Sequence, residues 1–570
     1  MNFEELIQAA AAERPVDLLL TNARVVNVFS GAVETRHIAI ADGYIAGFGD
    51  YEALEKVDLE KRLVTPGFID AHVHIESAMT AVSEFVRAVL PRGTTAVVAD
   101  PHEIANVMGA EGISYMIGEA AKQPMNIFFA LPSCVPATDM ETAGARLDAA
   151  DLAPFWKSSH VVALGEMMNF PGVISRAPDV LAKIAQAAEA GKPVDGHGPG
   201  LSGNALCAYI AAGIASDHEC VGLSEAEEKL ARGMHIMIRE GSGAKNLDAL
   251  LPLVRSETAH RMMWCTDDRH PHEILKEGHI DEMIRRAIAY GVDPVTAVRM
   301  ATLNPASYFR LPRMGAVSPG MRADLVVAAD SDNLVPEQVY AGGRLVATNG
   351  RMCPEIPISG PGPCPATVQV DCGNLNFRIR AGGTNVRVID IVPGQLVTGQ
   401  IILPVKQKDG AAMGDPSADI VKIAVVERHH GTGNIGTGFV RGFGLKKGAL
   451  ASSVAHDSHN IIVLGADDRD MQAAAAHVAA MQGGLCVVCD REVRSELALP
   501  IAGLMSTEPL ETVSRAIDAL SEKARALGCR LEDPFMTLSF LALPVIPELK
   551  ITDRGLFDVQ RFTHVPVFVD

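Results

Sequence analysis

An α/β architecture is predicted for this chain: a (β/α)8, TIM-like barrel, a small β-sandwich built from both segments flanking it, and an additional C-terminal α+β domain. Three observations carry the prediction. Eight apolar, strand-like runs alternate with helical patterns in the middle of the sequence. Two β-rich segments lie on either side of them. Six side chains suited to binding a metal stand, one after another, where those runs give way to polar loops.

At 570 residues the chain is too long for one ordinary domain. Residues 1–64 open with a short amphipathic helix in MNFEELIQAAAAERPVD and continue as strands with turn punctuation. There the Asp42-Gly43 step marks a hairpin between alternating runs. A similar style returns over residues 315–352, so the two pieces are expected to pair into one small β unit.

Residues 65–314 hold the eight runs: GFIDAHVH, TTAVVAD, MNIFFALPS, VVALGE, KPVDGH, GIASDH, MHIMIRE and MMWCTD. Intervening pieces such as PDVLAKIAQAAEAGK have helical periodicity and end near glycine. Strands alternating with helices predict a parallel barrel whose site lies at the carboxyl ends of its strands. The Pro- and Gly-rich residues 353–367 read as a linker. Residues 368–570 then read as an α+β domain, with strands in NVRVIDIVPGQLVTGQIILPV and helices in MQAAAAHVAAM and LETVSRAIDALSEKARAL.

A formal net charge of −19 disfavours nucleic acid and anionic membranes as partners. The N-terminus lacks a secretory pattern, and no apolar run nears the ~20 residues that span a bilayer. Ten scattered cysteines fit a reducing cytoplasm. Cys486 and Cys489 form a lone C-x-x-C without a second pair, which reads as buried strand cysteines.

Among the six candidates, His72 and His74 are two apart on a strand and so point to one side. Glu166, His197, His218 and Asp267 follow at later strand ends. Imidazoles and carboxylates suit zinc, manganese or ferrous iron. One carboxylate can bridge two such ions, and the pair can acidify a shared water. The expected division gives one ion His72, His74, Asp267 and one oxygen of Glu166. The other ion takes His197, His218 and the second oxygen. Asp267 is also the candidate to move a proton from the attacking water to the leaving group.

With these residues in place, PGFIDAHVHIES, the central glutamate, the two later histidines and TDD resemble the amidohydrolase superfamily. Longer strings are similar to its adenine deaminase family: GTTAVVADPHEIANV, GEMMNFPGV, GHGPGLSG, IREGSGAKNL, TDDRHPHEILKEGHID, MATLNPA, VVERHHGTGNIG and SSVAHDSHNIIVLG. Gly198 and Gly243 depart from the alanine common there, and neither is a ligand. The resemblance implies hydrolysis of adenine to hypoxanthine and ammonia, in purine salvage, at a centre of two divalent ions. Manganese or ferrous iron is implied, with zinc as the alternative, and a homodimer or higher homo-oligomer is expected.

The strand-five segment has no carboxylate of the kind that protonates the ring in several purine and pyrimidine deaminases. The second strand offers Asp100, His102 and Glu103 instead, against a bland reading as a helix cap. Which of the three touches substrate is left open: Glu103 is favoured to contact or protonate the ring, with Asp100 in support near the metals and His102 a candidate substrate contact. Arg239 can contact substrate or orient a ligand, against a bland reading as a salt bridge at the rim. Either His270 or His272 can reach the site. His429, His430, His456 and His459 have no role assigned by composition. The rival readings are an amidohydrolase acting on another nucleobase or a cyclic amide, and a catalytically silent scaffold.

Overall fold

The structure is a computed structural model and describes residues 2–331 and 333–569. Met1, Asp332 and Asp570, which belong to the expected β unit and C-terminal domain, lie outside the described residues. The eight runs form the strands Phe68–Val73, Thr94–Ala99, Asn126–Leu131, Val161–Met167, Val194–Gly196, Ser216–Asp217, His235–Arg239 and Met262–Cys265. The first five pair in parallel in chain order, and so do the last three. Parallel bridges Val194–Ile214 and Val73–Asp267 join the two groups at both seams.

Alternation along the strands separates two cores. Ile69, Ala71, Ala96, Val98, Ala130, Ala163, Met237 and Met263 cluster on one side of the strands. Val73, Val97, Phe129, Leu131 and Leu164 pack with helix residues such as Phe85 and Ile113 on the other. Asp70 ties the first strand to the last: it accepts the Thr266 hydroxyl at 2.5 Å and the Thr266 N–H at 3.2 Å. The first and eighth strand ends are thereby held side by side. This is a TIM-like α/β unit.

Strands from both flanking segments join one nine-stranded sheet. Val16–Asn27 pairs with Ala32–Ala41, and Leu63–Pro66 pairs antiparallel with Leu325–Ala328 of the returning segment. The expected hairpin has φ of 53° at Asp42 and 79° at Gly43, the positive values a tight two-residue turn demands. Residues 353–367 have no regular structure and run beside the barrel, where Gln123 donates to the Ser359 carbonyl at 2.9 Å.

The C-terminal unit is built on an eight-stranded sheet with apolar cores on both faces. The helix Asp468–Ala480 covers one face, and Leu510–Ala526 packs on the other. Cys486 and Cys489 are both buried in the strand Gly484–Cys489, as expected, and they fall in opposite cores. Their three-residue spacing points them to different faces, so they cannot share an ion. No described helix is long and apolar enough to cross a membrane.

Contacts between this unit and the barrel concentrate at the carboxyl ends of the barrel strands. Ser506 exchanges backbone bonds with Met79 and Ala81 at 2.9 Å each. The Thr142 hydroxyl donates to Asp553 at 2.7 Å, and Asn460 donates to the Thr142 carbonyl at 2.8 Å. The C-terminal unit therefore stands over the barrel mouth.

Candidate metal centre and active site

All six expected ligands converge. The Nε2 atoms of His72 and His74 lie 3.1 Å apart, and Asp267 Oδ1 stands 3.4 Å from the first and 3.0 Å from the second. The two oxygens of Glu166 face opposite ways. Oε1 is 3.3 Å from His74 Nε2, while Oε2 is 2.5 Å from His197 Nδ1 and 3.2 Å from His218 Nε2. His72, His74 and Asp267 form one trio whose donor atoms can hold a cation, and His72, Glu166 and His218 form another.

Every group is buried except His197, which is partly exposed. Burial alone would raise the Glu166 carboxyl. The charge of His197 and the close imidazoles of His197, His218 and His74 outweigh it and hold the group well below the usual range. Asp267 behaves likewise: Arg239 foremost, then His72 and His74, overcome its desolvation. Two ionised carboxylates among four imidazoles are a donor set for a borderline divalent ion.

Local backbone explains how these atoms are aimed. Asp267 has φ of 56°, a left-handed conformation that aspartate tolerates better than most residues. Its N–H donates to the His72 carbonyl at 2.9 Å, locking the eighth strand end to the first. Asp100 sits behind Glu166 and accepts its N–H at 3.1 Å. Gly165 is required there, because a Cβ would stand 2.0 Å from Asp100 Oδ2. Asp100 is thus a positioning group, turned toward the Glu166 backbone.

Two further candidates lie in the same region. His102 is placed among ligands: its Nδ1 is 3.4 Å from Glu166 Oε1, and it completes a third cation-capable trio with His74 and Glu166. Arg239 donates to Asp267 at 2.8 Å and to Glu219 at 3.0 Å. It is buried, and its Nε is left without a partner.

Beside the centre lies a narrow cavity of about 30 Å³. Glu76, Glu103, Asp268 and His270 line it from the barrel; His456, His459, Phe535 and Met536 line it from the C-terminal unit. Glu103 therefore reaches the expected pocket. Burial would raise its carboxyl, but His456, His459 and His102 hold it well below the usual range. It stands as a carboxylate at the cavity wall.

Of the paired loop histidines, His270 reaches the cavity and is 3.6 Å from Asp533. Three barrel residues were missed by the sequence reading. Glu219 directly follows His218, lies 3.7 Å from His197 and joins a further cation-capable trio. Glu76 has a buried Oε2 without a partner, and burial pushes its carboxyl up to about 7. Asp268 accepts the Ser77 hydroxyl at the cavity edge. Each adjoins a recognised ligand, and that adjacency was the only signal available.

An Amidohydrolase family model matches residues 63–346, and an Adenine deaminase C-terminal domain model matches residues 395–563. An adenine deaminase of Desulfatibacillum aliphaticivorans is 55% identical over 565 residues, covering 99% of both chains. The chain belongs to the adenine deaminase family. An adenine deaminase of Methanothrix thermoacetophila is 49% identical over the full length of both chains. Among solved structures, a crystal structure of an adenine deaminase aligns at 19% identity and a TM-score of 0.45, covering 58% of this chain and 99% of that one.

Proposed function

We propose that this chain hydrolyses adenine to hypoxanthine and ammonia at the carboxyl end of an eight-stranded (β/α)8 barrel. The observation that carries the reading is the two-sided Glu166, with His74 at one oxygen and His197 and His218 at the other. The nine-stranded sheet is read as the sandwich-like unit beside the barrel. Its support is a shared core in which Leu20 and Ile40 meet Leu325 and Val327.

The donor set fits two divalent ions. His218 Nε2 is buried and makes no hydrogen bond, although Glu166 Oε2 is 3.2 Å away. That arrangement suits a shared cation better than a shared proton. His72, His74, Asp267 and Glu166 would hold one ion, and Glu166, His197 and His218 the other. Manganese or ferrous iron is the proposed occupant. When bound, two such ions acidify a shared water so that hydroxide forms near neutral pH.

The chain's own residues then manage protons. Conversion of adenine and water to hypoxanthine and ammonia moves both water protons: one to the departing amine, one to the adjacent ring nitrogen. Asp267 carries the first. Glu103, ionised at the cavity wall, collects the second and delivers it to the ring nitrogen, where negative charge gathers as the C–O bond forms. Arg239 keeps Asp267 oriented, and Asp100 keeps Glu166 in place. A role in purine salvage follows from the product, and a cytoplasmic setting from the acidic balance and free thiols.

Ammonia release from a panel of adenine, guanine and cytosine, with ring opening of a cyclic amide followed by absorbance, tests the reading. Adenine is expected to be turned over preferentially, with activity recovering as about two ions bind to the apo-protein. Release from another ring but not adenine would overturn the substrate, and full activity with one ion would remove Glu166 from its bridging role.

A further inference from the structure

The strings VVERHHGTGNIG and SSVAHDSHNIIVLG belong to the C-terminal unit, far along the chain from the barrel ligands. Their histidines divide into two layers. His456 Nδ1 is 2.7 Å from Glu103 Oε1, and His459 Nε2 bonds Glu103 Oε2. Both carboxylate oxygens are thus taken by side chains of another unit. Glu103 and His459 are buried, and the His456 ring stacks on Phe540 with centroids 4.6 Å apart.

The second layer holds this loop in place. Arg428 is fully buried and donates to the carbonyls of His459 and Ala502. His429 Nε2 bonds the Ser458 carbonyl at 2.7 Å, and His430 Nε2 bonds the Ala143 carbonyl at 3.0 Å. His429 thus braces the loop, His430 bonds the barrel segment at Ala143, and His456 and His459 reach Glu103.

Glu103, His456 and His459 also have the proximity of a metal site. The protonation pattern decides against it. His459 Nδ1 accepts the Ala455 N–H at 3.2 Å, so the single proton of the neutral ring lies on Nε2. That nitrogen has no lone pair for a cation and must donate to Glu103. A buried carboxylate without such donors would be strongly disfavoured.

We propose that His456 and His459 are positioning residues that fix the Glu103 carboxylate at the cavity wall by paired N–H donation, so that the C-terminal unit completes the substrate site of the barrel. The inference rests on the reading of Glu103 as the group facing substrate. It makes the C-terminal unit a part of the active site in every turnover.

Amide replacements test it, because the Asn nitrogen falls near histidine Nδ1 and the Gln nitrogen near Nε2. His459→Gln should keep kcat within about threefold, while His459→Asn should lose about 10- to 100-fold, the scale of one charge-assisted hydrogen bond. The order should reverse at His456, with Asn above Gln, and metal content should match the parent throughout. Equal losses within each pair would reduce the histidines to packing groups, and loss of one bound ion in any variant would make the cluster a cation site; either result overturns the proposal. Turnover of adenine by the unaltered enzyme tests the proposed reaction separately. If adenine is not its substrate, imidazole N–H resonances still report the clamp: they should move in Glu103→Gln, and their failure to move would overturn it.

Discussion

Glu103 and His456 are separated by 353 positions in the chain, yet their side chains meet at 2.7 Å. One follows the second barrel strand, and the other lies on a loop of the C-terminal unit. The contact makes the barrel mouth a composite of two parts of the chain. The hydrolytic centre itself uses barrel residues, and the following outcomes test how it is built.

Asp267→Asn should abolish proton transfer while preserving shape. Asparagine accepts the left-handed conformation at φ 56°, so the backbone is not disturbed. Turnover should fall at least ~10²-fold, the scale of losing a general base. Elemental analysis should show both ions retained; a doubly loaded variant with normal turnover would exclude Asp267 as the proton carrier.

Gly165→Ala should disable the centre without touching a ligand. Its Cβ would stand 2.0 Å from Asp100 Oδ2 and 3.0 Å from the Leu131 carbonyl, forcing Asp100 away from the Glu166 N–H. A misplacement near 1 Å at a reacting site costs on the order of 10²-fold in rate. Steady-state kinetics with metal analysis will show reduced turnover and weakened ion retention, or prove that the strand yields.

Lys229→Met should be among the most destabilising substitutions in the barrel. The ammonium is buried, 3.0 Å from Asp217 and 2.6 Å from Glu225, and donates to the Gly198 carbonyl at 2.7 Å. It thereby supports the segments that carry His197 and His218. Removing it strands the Asp217 carboxylate in the interior, a loss of about 3–5 kcal/mol. Denaturant unfolding measures the loss, and Asp217→Asn in the same background should recover part of it.

Lys550 imposes a pH dependence on the C-terminal unit. It is fully buried, donates to the carbonyls of Leu396 and Phe540 at 2.9 and 3.1 Å, and burial pushes its pKa down to about 7. Between that value and the ordinary lysine range, the unfolded chain binds the proton and the folded chain does not. Folding stability from this group therefore rises as pH rises through 7. From pH 6 to pH 9 the parent should gain about 3 kcal/mol relative to Lys550→Met in denaturant unfolding. Parallel curves for the two proteins would contradict the depressed pKa.

Local periodicity and residue spacing were sufficient to read the eight barrel strands, the hairpin at Asp42-Gly43, the pairing of the flanking segments and the six side chains from His72 to Asp267 that the fold brings together. All are written in short windows of sequence: alternation along a strand, a turn residue with positive φ, an imidazole where an apolar run ends. Partners brought together across long separations were not legible in this way. Arg239 donates to Glu219 and Asp267, His102 stands among ligands, and Glu103 takes its hydrogen bonds from His456 and His459. A side chain's type states what it can donate or accept, but which atom it meets, and hence whether a buried carboxylate is ionised, is decided only when packing removes water and brings distant groups within about 3 Å.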